Sequence, residues 1–159
     1  MNVEILSHRV LAVAAQIHTV LMLAYAQEAT LLSVEDFPPL QQTAADIQSS
    51  DEFFLGAFET AALPTSALLG VISVRPDDEP GQINIACLVV HPAHQRRGLA
   101  RALLSDALQR APGAVFSVST AAKNAPALAL YQQFGFEPCR WGTVGDEGLA
   151  LVKLRRRQF

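Results

Sequence analysis

The sequence predicts an α/β domain built on a mixed sheet. Helical and strand periodicities alternate along the 159 residues, half of those residues are apolar, and Gly and Pro punctuate the intervals. At this length about 70% of the unfolded chain's surface can be buried. A hydrophobic fraction of 50% against a charged fraction of 17% excludes a disordered chain. Residues 1–159 read as one domain, with no repeat, low-complexity tract or linker.

The first strand is expected around Val3–Leu6, and a helix from about Arg9 to Gln27. There Val10, Val13, Ile17, Val20 or Leu21, and Ala24 mark one face. This apolar run, with Ala24-Tyr25-Ala26, imitates a secretory leader and its cleavage site. Against that, Glu4 sits in the would-be basic leader, and Gln16, His18 and Thr19 interrupt the run. No other stretch approaches the roughly 20 apolar residues of a membrane span. A cytoplasmic chain with no membrane partner is therefore expected, and the two lone cysteines, Cys87 and Cys139, fit a reducing compartment.

A short helix is expected around Leu40–Gln48, after Pro38-Pro39. Strands over Phe53–Glu59 and Ala67–Val74 flank a turn containing Pro64. "PDDEPG" (Pro76–Gly81) is a turn, and Gln82–Val90 is a largely buried strand. After His91-Pro92 a helix runs from about Gly98 to Gln109, with Leu99, Leu103 and Ala107 in one stripe and Arg101, Ser105 and Gln109 on the wet side. Pro112-Gly113 ends it, and Ala114–Val118 is a strand. Asn124 caps a short helix through Phe134, with Pro126 in its first turn and Gly135 just past its end. Strands Gly135–Trp141 and Leu149–Leu154 close the chain.

The start of the Gly98 helix is unusual. Helix starts favour an oxygen-bearing cap and acidic first-turn residues, yet "HQRRGLARALL" supplies arginines and a glycine. The N–H groups of Arg97, Gly98, Leu99 and Ala100 lie at the exit of a buried strand. Gly98 has no side chain to keep a ligand away, and the helix dipole adds positive potential, so the segment suits a phosphate or pyrophosphate. Arg96, Arg97 and Arg101 add mobile positive charge. The Walker and dinucleotide patterns are absent. His91 and His94 form an H-x-x-H pair without further ligands, so no metal is expected.

Charge divides along the chain. Residues 1–60 hold eight acids and one base, Arg9, whereas residues 61–159 hold seven acids and eleven bases. A polyanionic ligand on the later part and a cationic one near the earlier part would suit that split.

"VVHPAHQRRGLARALL" (Val89–Leu104) resembles the acyl-CoA-binding signature of the Gcn5-related N-acetyltransferases, Q/R-x-x-G-x-G/A, with Gln95, Gly98 and Ala100 in the pattern positions and Val90 and Pro92 in the lead-in. "NAPALALYQQFGF" (Asn124–Phe136) is similar to the same family's N-x-x-A-x-x-x-Y-x-x-x-G-F segment, through Asn124, Ala127, Tyr131, Gly135 and Phe136. The resemblance implies a mixed, mostly antiparallel, splayed sheet flanked by helices, and an acetyl-CoA-dependent N-acetyltransferase. By carry-over, Leu88 and Val90 offer backbone groups to the pantetheine arm. Gln95 belongs to the cofactor-binding segment, Arg96, Arg97, Gly98, Leu99, Ala100 and Arg101 hold the pyrophosphate, Asn124 bonds the pantetheine or the segment beside it, and Tyr131 protonates the departing thiolate.

Relatives that modify histones carry a base glutamate where this chain has Asn84, which cannot accept a proton. Glu52, Glu59, His91 and a water chain remain as bases. Cys87 reads as a core thiol. Family members shape the acceptor pocket with the first two helices, their loop and the strands at the sheet's end, which here implies Gln27–Ser50 plus the turn after Val74. Here Glu28, Glu35, Asp36 and Asp46 would favour a cationic amine of a small molecule or peptide. A non-catalytic acyl-CoA-binding module is the alternative to the enzyme. Nucleic-acid binding through "KLRRRQF" (Lys153–Phe159) is disfavoured by a short terminal cluster without an aromatic platform, in an acidic chain. A homodimer fits the resemblance.

Overall fold

Seven strands pair in the order β1-β2-β3-β4-β5-β7-β6 in the computed structural model, which describes residues 1–59 and 67–157. The expected turn at Pro64 lies outside the described residues. The strands are β1 (Asn2–Ile5), β2 (Phe53–Phe58), β3 (Leu68–Pro76), β4 (Ile83–Val90), β5 (Phe116–Ala121), β6 (Glu137–Val144) and β7 (Leu149–Arg156). Every pairing is antiparallel except β4 with β5, so the sheet is mixed as the sequence predicts.

Helices cover both faces. On one, α1 (Leu11–Leu32) and α2 (Ala44–Ser49) bury Ile17, Leu21 and Ile47 against Phe54, Val71 and Val89. On the other, α3 (Leu99–Arg110) and α4 (Ala125–Gln133) pack Leu99, Leu103, Leu104 and Tyr131 against Ile72, Ile85, Phe116 and Leu154. Each fully buried Leu, Ile or Phe contributes about 1.5–3 kcal/mol. Gly70 in β3 gives α3 room, because a Cβ there would come 3.1 Å from Leu103.

Helix α1 runs past the expected Gln27 to Leu32. Ala29 and Leu32 stay buried, against Phe37 and, from the far end of the sheet, Ala121 and Leu149. Tertiary burial thus carries the helix on until Ser33 turns left-handed at φ 56° and returns its N–H to the carbonyls of Ala29 and Thr30. The expected Leu40–Gln48 helix divides into a 3-10 turn at Pro38–Gln41 and α2, which begins at a capping box formed by Thr43 and Asp46. Strand β5 begins later than expected, and β6 and β7 run longer. No helix among the described residues is long and apolar enough to cross a membrane.

Candidate active site

Strands β4 and β5 pair only at Ile83–Phe116, Asn84–Ser117 and Ile85–Val118, although β4 continues to Val90 and β5 to Ala121. The sheet opens there because of a bulge. Ser73 of β3 faces Cys87 and Val74 faces Ile85, which leaves Ala86 as the extra residue. A bulge bends its strand and increases its twist, and this one sits where β4 leaves β5. Beyond it the backbone edges of the two strands diverge. Leu88 and Val90 lie on that open stretch, half-buried.

The loop leaving β4 leads into a helix start with no side-chain cap. Gly98 sits at the N-cap of α3 with φ 79°, and no acid occupies the first turn. Arg96 is also left-handed, at φ 64°. A Cβ built on Gly98 would meet nothing within 4 Å, so the helix start faces open space. Leu99 is buried in the core and pins α3; at Leu99 and Ala100 the backbone N–H groups are what an anion would meet.

The side chains around this start divide. Arg97 pairs with Glu59 at 2.7 Å and approaches His94 Nδ1 at 3.0 Å. Arg101 hydrogen-bonds Gln133, with its guanidinium 5.2 Å from the Phe134 ring centroid. Arg96 alone of the three has no such partner among the described residues. Gln95 donates to Gln27 Oε1 at 2.7 Å and ties the loop to α1.

At the interior end of the gap, Tyr131 is buried and meets Phe136 edge-on at 5.5 Å. Burial pushes its phenol up, and the charges of Cys87 and Glu28 push the same way. Tyr25, from α1, is likewise raised by burial, then by Cys87, Glu28, Tyr131 and Glu52. Tyr25, Glu28, Cys87 and Tyr131 form one cluster of perturbed titratable side chains, a pattern that favours proton transfer chemistry. Glu28 belongs to it, although the sequence points to it only as an acid near the acceptor pocket and not among the candidate bases. Its carboxyl is raised by burial, with a hydrogen bond from Asn124 Nδ2 at 3.1 Å pulling the other way. Asn124 meanwhile caps α4, accepting from the Ala127 N–H at 3.2 Å.

The other proton acceptors separate by position. Glu59 lies at the anion cradle, exposed and held low by the hydrogen bond and charge of Arg97. His91 Nδ1 accepts from the Ala93 N–H at 3.0 Å. Glu52 accepts from Ser73 Oγ at 2.8 Å. Asn84 joins β4 to β5 through Ser117 Oγ at 3.0 Å and receives Arg75 Nε at 3.2 Å, on the closed side of the gap. Burial raises the Cys87 thiol to about 12, so it stays protonated. Of the four acids near the expected acceptor pocket, two carboxylates serve local structure. Asp36 accepts from the Asp146 N–H and Asp46 from the Thr43 N–H.

Comparison with known proteins agrees with this geometry. The acetyltransferase (GNAT) family matches residues 18–136. UPF0157 protein YqkA of Bacillus subtilis (strain 168) is 35% identical over 136 residues, which is 85% of this chain and 38% of that protein. The N-alpha-acetyltransferase RimI of Mycobacterium tuberculosis is 30% identical over 110 residues, 69% of this chain and 68% of the relative. The chain thus spans well under half the length of YqkA. Among solved structures, the PaiA N-acetyltransferase of Thermoplasma acidophilum in complex with coenzyme A superposes with a TM-score of 0.73 at 15% identity, over 99% of this chain and 100% of that one. The splayed sheet, the uncapped helix start and the match through both sequence blocks place this chain in the acetyltransferase (GNAT) family.

Proposed function

We propose that this chain, acting as one catalytic domain, transfers an acetyl group from acetyl-CoA to an amine by direct attack. The reading rests above all on the parting of β4 from β5, which opens a slot between an uncapped helix start and a buried tyrosine. The residues fit acetyl-CoA. Leu88 and Val90 have backbone edges unused by β5, suited to the amides of the pantetheine arm. The N–H groups around Gly98 face open space and suit a pyrophosphate, with Arg96 free to add charge. Gln95, Arg97 and Arg101 rigidify the cradle through their bonds to Gln27, Glu59 and Gln133.

Acetyl-CoA supplies the thioester. Glu28 takes the proton of the attacking nitrogen, directly or through one water, as the C–N bond forms. Tyr131 gives its phenolic proton to the sulfur as the C–S bond breaks. A raised carboxyl is a stronger base, and a raised phenol stays protonated across the physiological range. Free Cys87 and Cys139 support a reducing, cytoplasmic setting.

Amine-dependent release of free thiol from acetyl-CoA tests the reading. Binding of acetyl-CoA with no release against any amine would favour the non-catalytic module. The pH profile tests Glu28. Its base form is the ionised one, so kcat/KM rises with pH through its pKa, above the usual carboxylate range. Asn124→Asp keeps the cap but replaces the donor with a like charge, which raises that pKa further. Its acid limb moves to higher pH, whereas Glu28→Gln loses the limb altogether. A profile that stays put in both variants assigns the base elsewhere.

A further inference from the structure

A polar cavity of about 210 Å³ lies where β4 and β5 begin to part, and its wall includes Arg75, Asp77, Ala86, Ser119, Arg140 and Lys153. Its face of the sheet follows from the strand alternation. Val152 and Leu154 point toward α3 and α4, so Lys153 points to the α1 side. Ser119, Lys153 and Arg140 form one row across β5, β7 and β6. Ala86, the bulge residue, brings the cavity to the head of the gap.

The charges in this cavity are not all paired. Lys153 Nζ meets Asp77 Oδ1 at 2.9 Å, with both side chains almost wholly buried, so these two neutralise each other. Arg75 donates to Asn84, and its Nη1 stands 3.8 Å from Glu52, a loose pairing. Arg140 makes no hydrogen bond or ion pair with any described residue. On the wall itself three cations face two acids, Asp77 and Asp78; with Glu52 behind Arg75, Arg140 is the cation left without a carboxylate partner among the described residues. An unpaired guanidinium beside a second arginine offers planar, forked donors that match a carboxylate. The same cations disfavour an ammonium nearby, which helps keep an attacking amine neutral. The volume lies below the roughly 300–1,000 Å³ of drug-sized sites, so it suits a compact molecule.

We infer that the acceptor is a compact amine bearing a carboxylate, an amino-acid-like molecule whose acidic group docks at Arg140 and Arg75 while its nitrogen reaches the gap. This rests on the N-acetyl transfer reading, and it turns the expected cationic acceptor into a molecule with an anionic end.

The test is amine-dependent thiol release from acetyl-CoA with matched acceptors: free amino acids, their amides, their decarboxylated amines, and short peptides beginning with Asp or Glu. The free acids should exceed their amides and decarboxylated partners in kcat/KM by about tenfold or more, the worth of one charge-assisted hydrogen bond. Arg140→Ala should erase that preference, and Arg140→Glu should invert it toward the decarboxylated amines. Arg140 sits on the exposed edge strand β6, so both variants should keep the wild-type melting temperature. Equal use of all partners, a preference untouched at Arg140, or turnover confined to the acidic peptides overturns the inference. So does acetyl-CoA binding with no free acid accepted. Loss of acetyl-CoA binding by the wild-type chain, seen by calorimetry, instead removes the transferase reading beneath it.

Discussion

Gly98→Glu is expected to weaken acetyl-CoA binding by at least about a hundredfold while the chain stays folded. The substituted side chain enters open space, since a Cβ at Gly98 meets nothing within 4 Å. The backbone at φ 79° imposes about 1–2 kcal/mol of strain on any L side chain, a modest local cost. The carboxylate, however, would sit at the positive end of the α3 dipole and accept the N–H groups offered to the pyrophosphate. Two charge-assisted bonds lost to that competitor amount to about 3–6 kcal/mol, which sets the hundredfold floor.

Gly98→Ala separates charge from strain. It carries the same backbone penalty without the carboxylate, and it should weaken binding by less than about tenfold. Calorimetric titration with acetyl-CoA and with 3′,5′-ADP reads both variants, since the nucleotide retains phosphates without the thioester arm. Undiminished binding to Gly98→Glu would place the polyanion away from the start of α3.

The parts of the site legible in sequence are those built from local backbone chemistry. A glycine in the left-handed region at the start of a helix, and an asparagine whose side chain accepts from the N–H three residues on, depend on a handful of neighbouring residues. Both stand where their spacing puts them. The parts that escaped are tertiary. Glu28 is one of eight acids in the first 60 residues, and nothing local distinguishes it from Asp36 or Asp46. Its raised carboxyl comes from burial at the end of α1, opposed by a hydrogen bond from an asparagine 96 residues away. The bulge at Ala86 depends on how β3 aligns with β4, and register across a turn is invisible in the periodicity of either strand. Arg140 reads as an ordinary surface charge on β6 until Lys153 and Asp77 are found neutralising each other beside it.

Tyr131→Phe should lower kcat by about a hundredfold or more, the scale of a lost general acid, and leave the KM for acetyl-CoA close to wild type. The aromatic ring, not the hydroxyl, fills the core: it packs edge-on to Phe136 and stays in place in the variant. Loss of one hydroxyl should change stability by about 1 kcal/mol, too little to unfold the chain. A group that acts only while the C–S bond breaks stabilises the transition state and not the bound substrate, so the loss belongs in kcat. The wild-type phenol is raised by burial, so it remains protonated and no alkaline fall in rate is expected below the ordinary tyrosine pKa of about 10. Acyl donors whose thiols are more acidic need less help to leave. With such a donor the gap between wild type and Tyr131→Phe should shrink, because proton donation contributes less as the leaving group improves. A rate deficit that stays constant across donors would mean the hydroxyl positions substrate and supplies no proton.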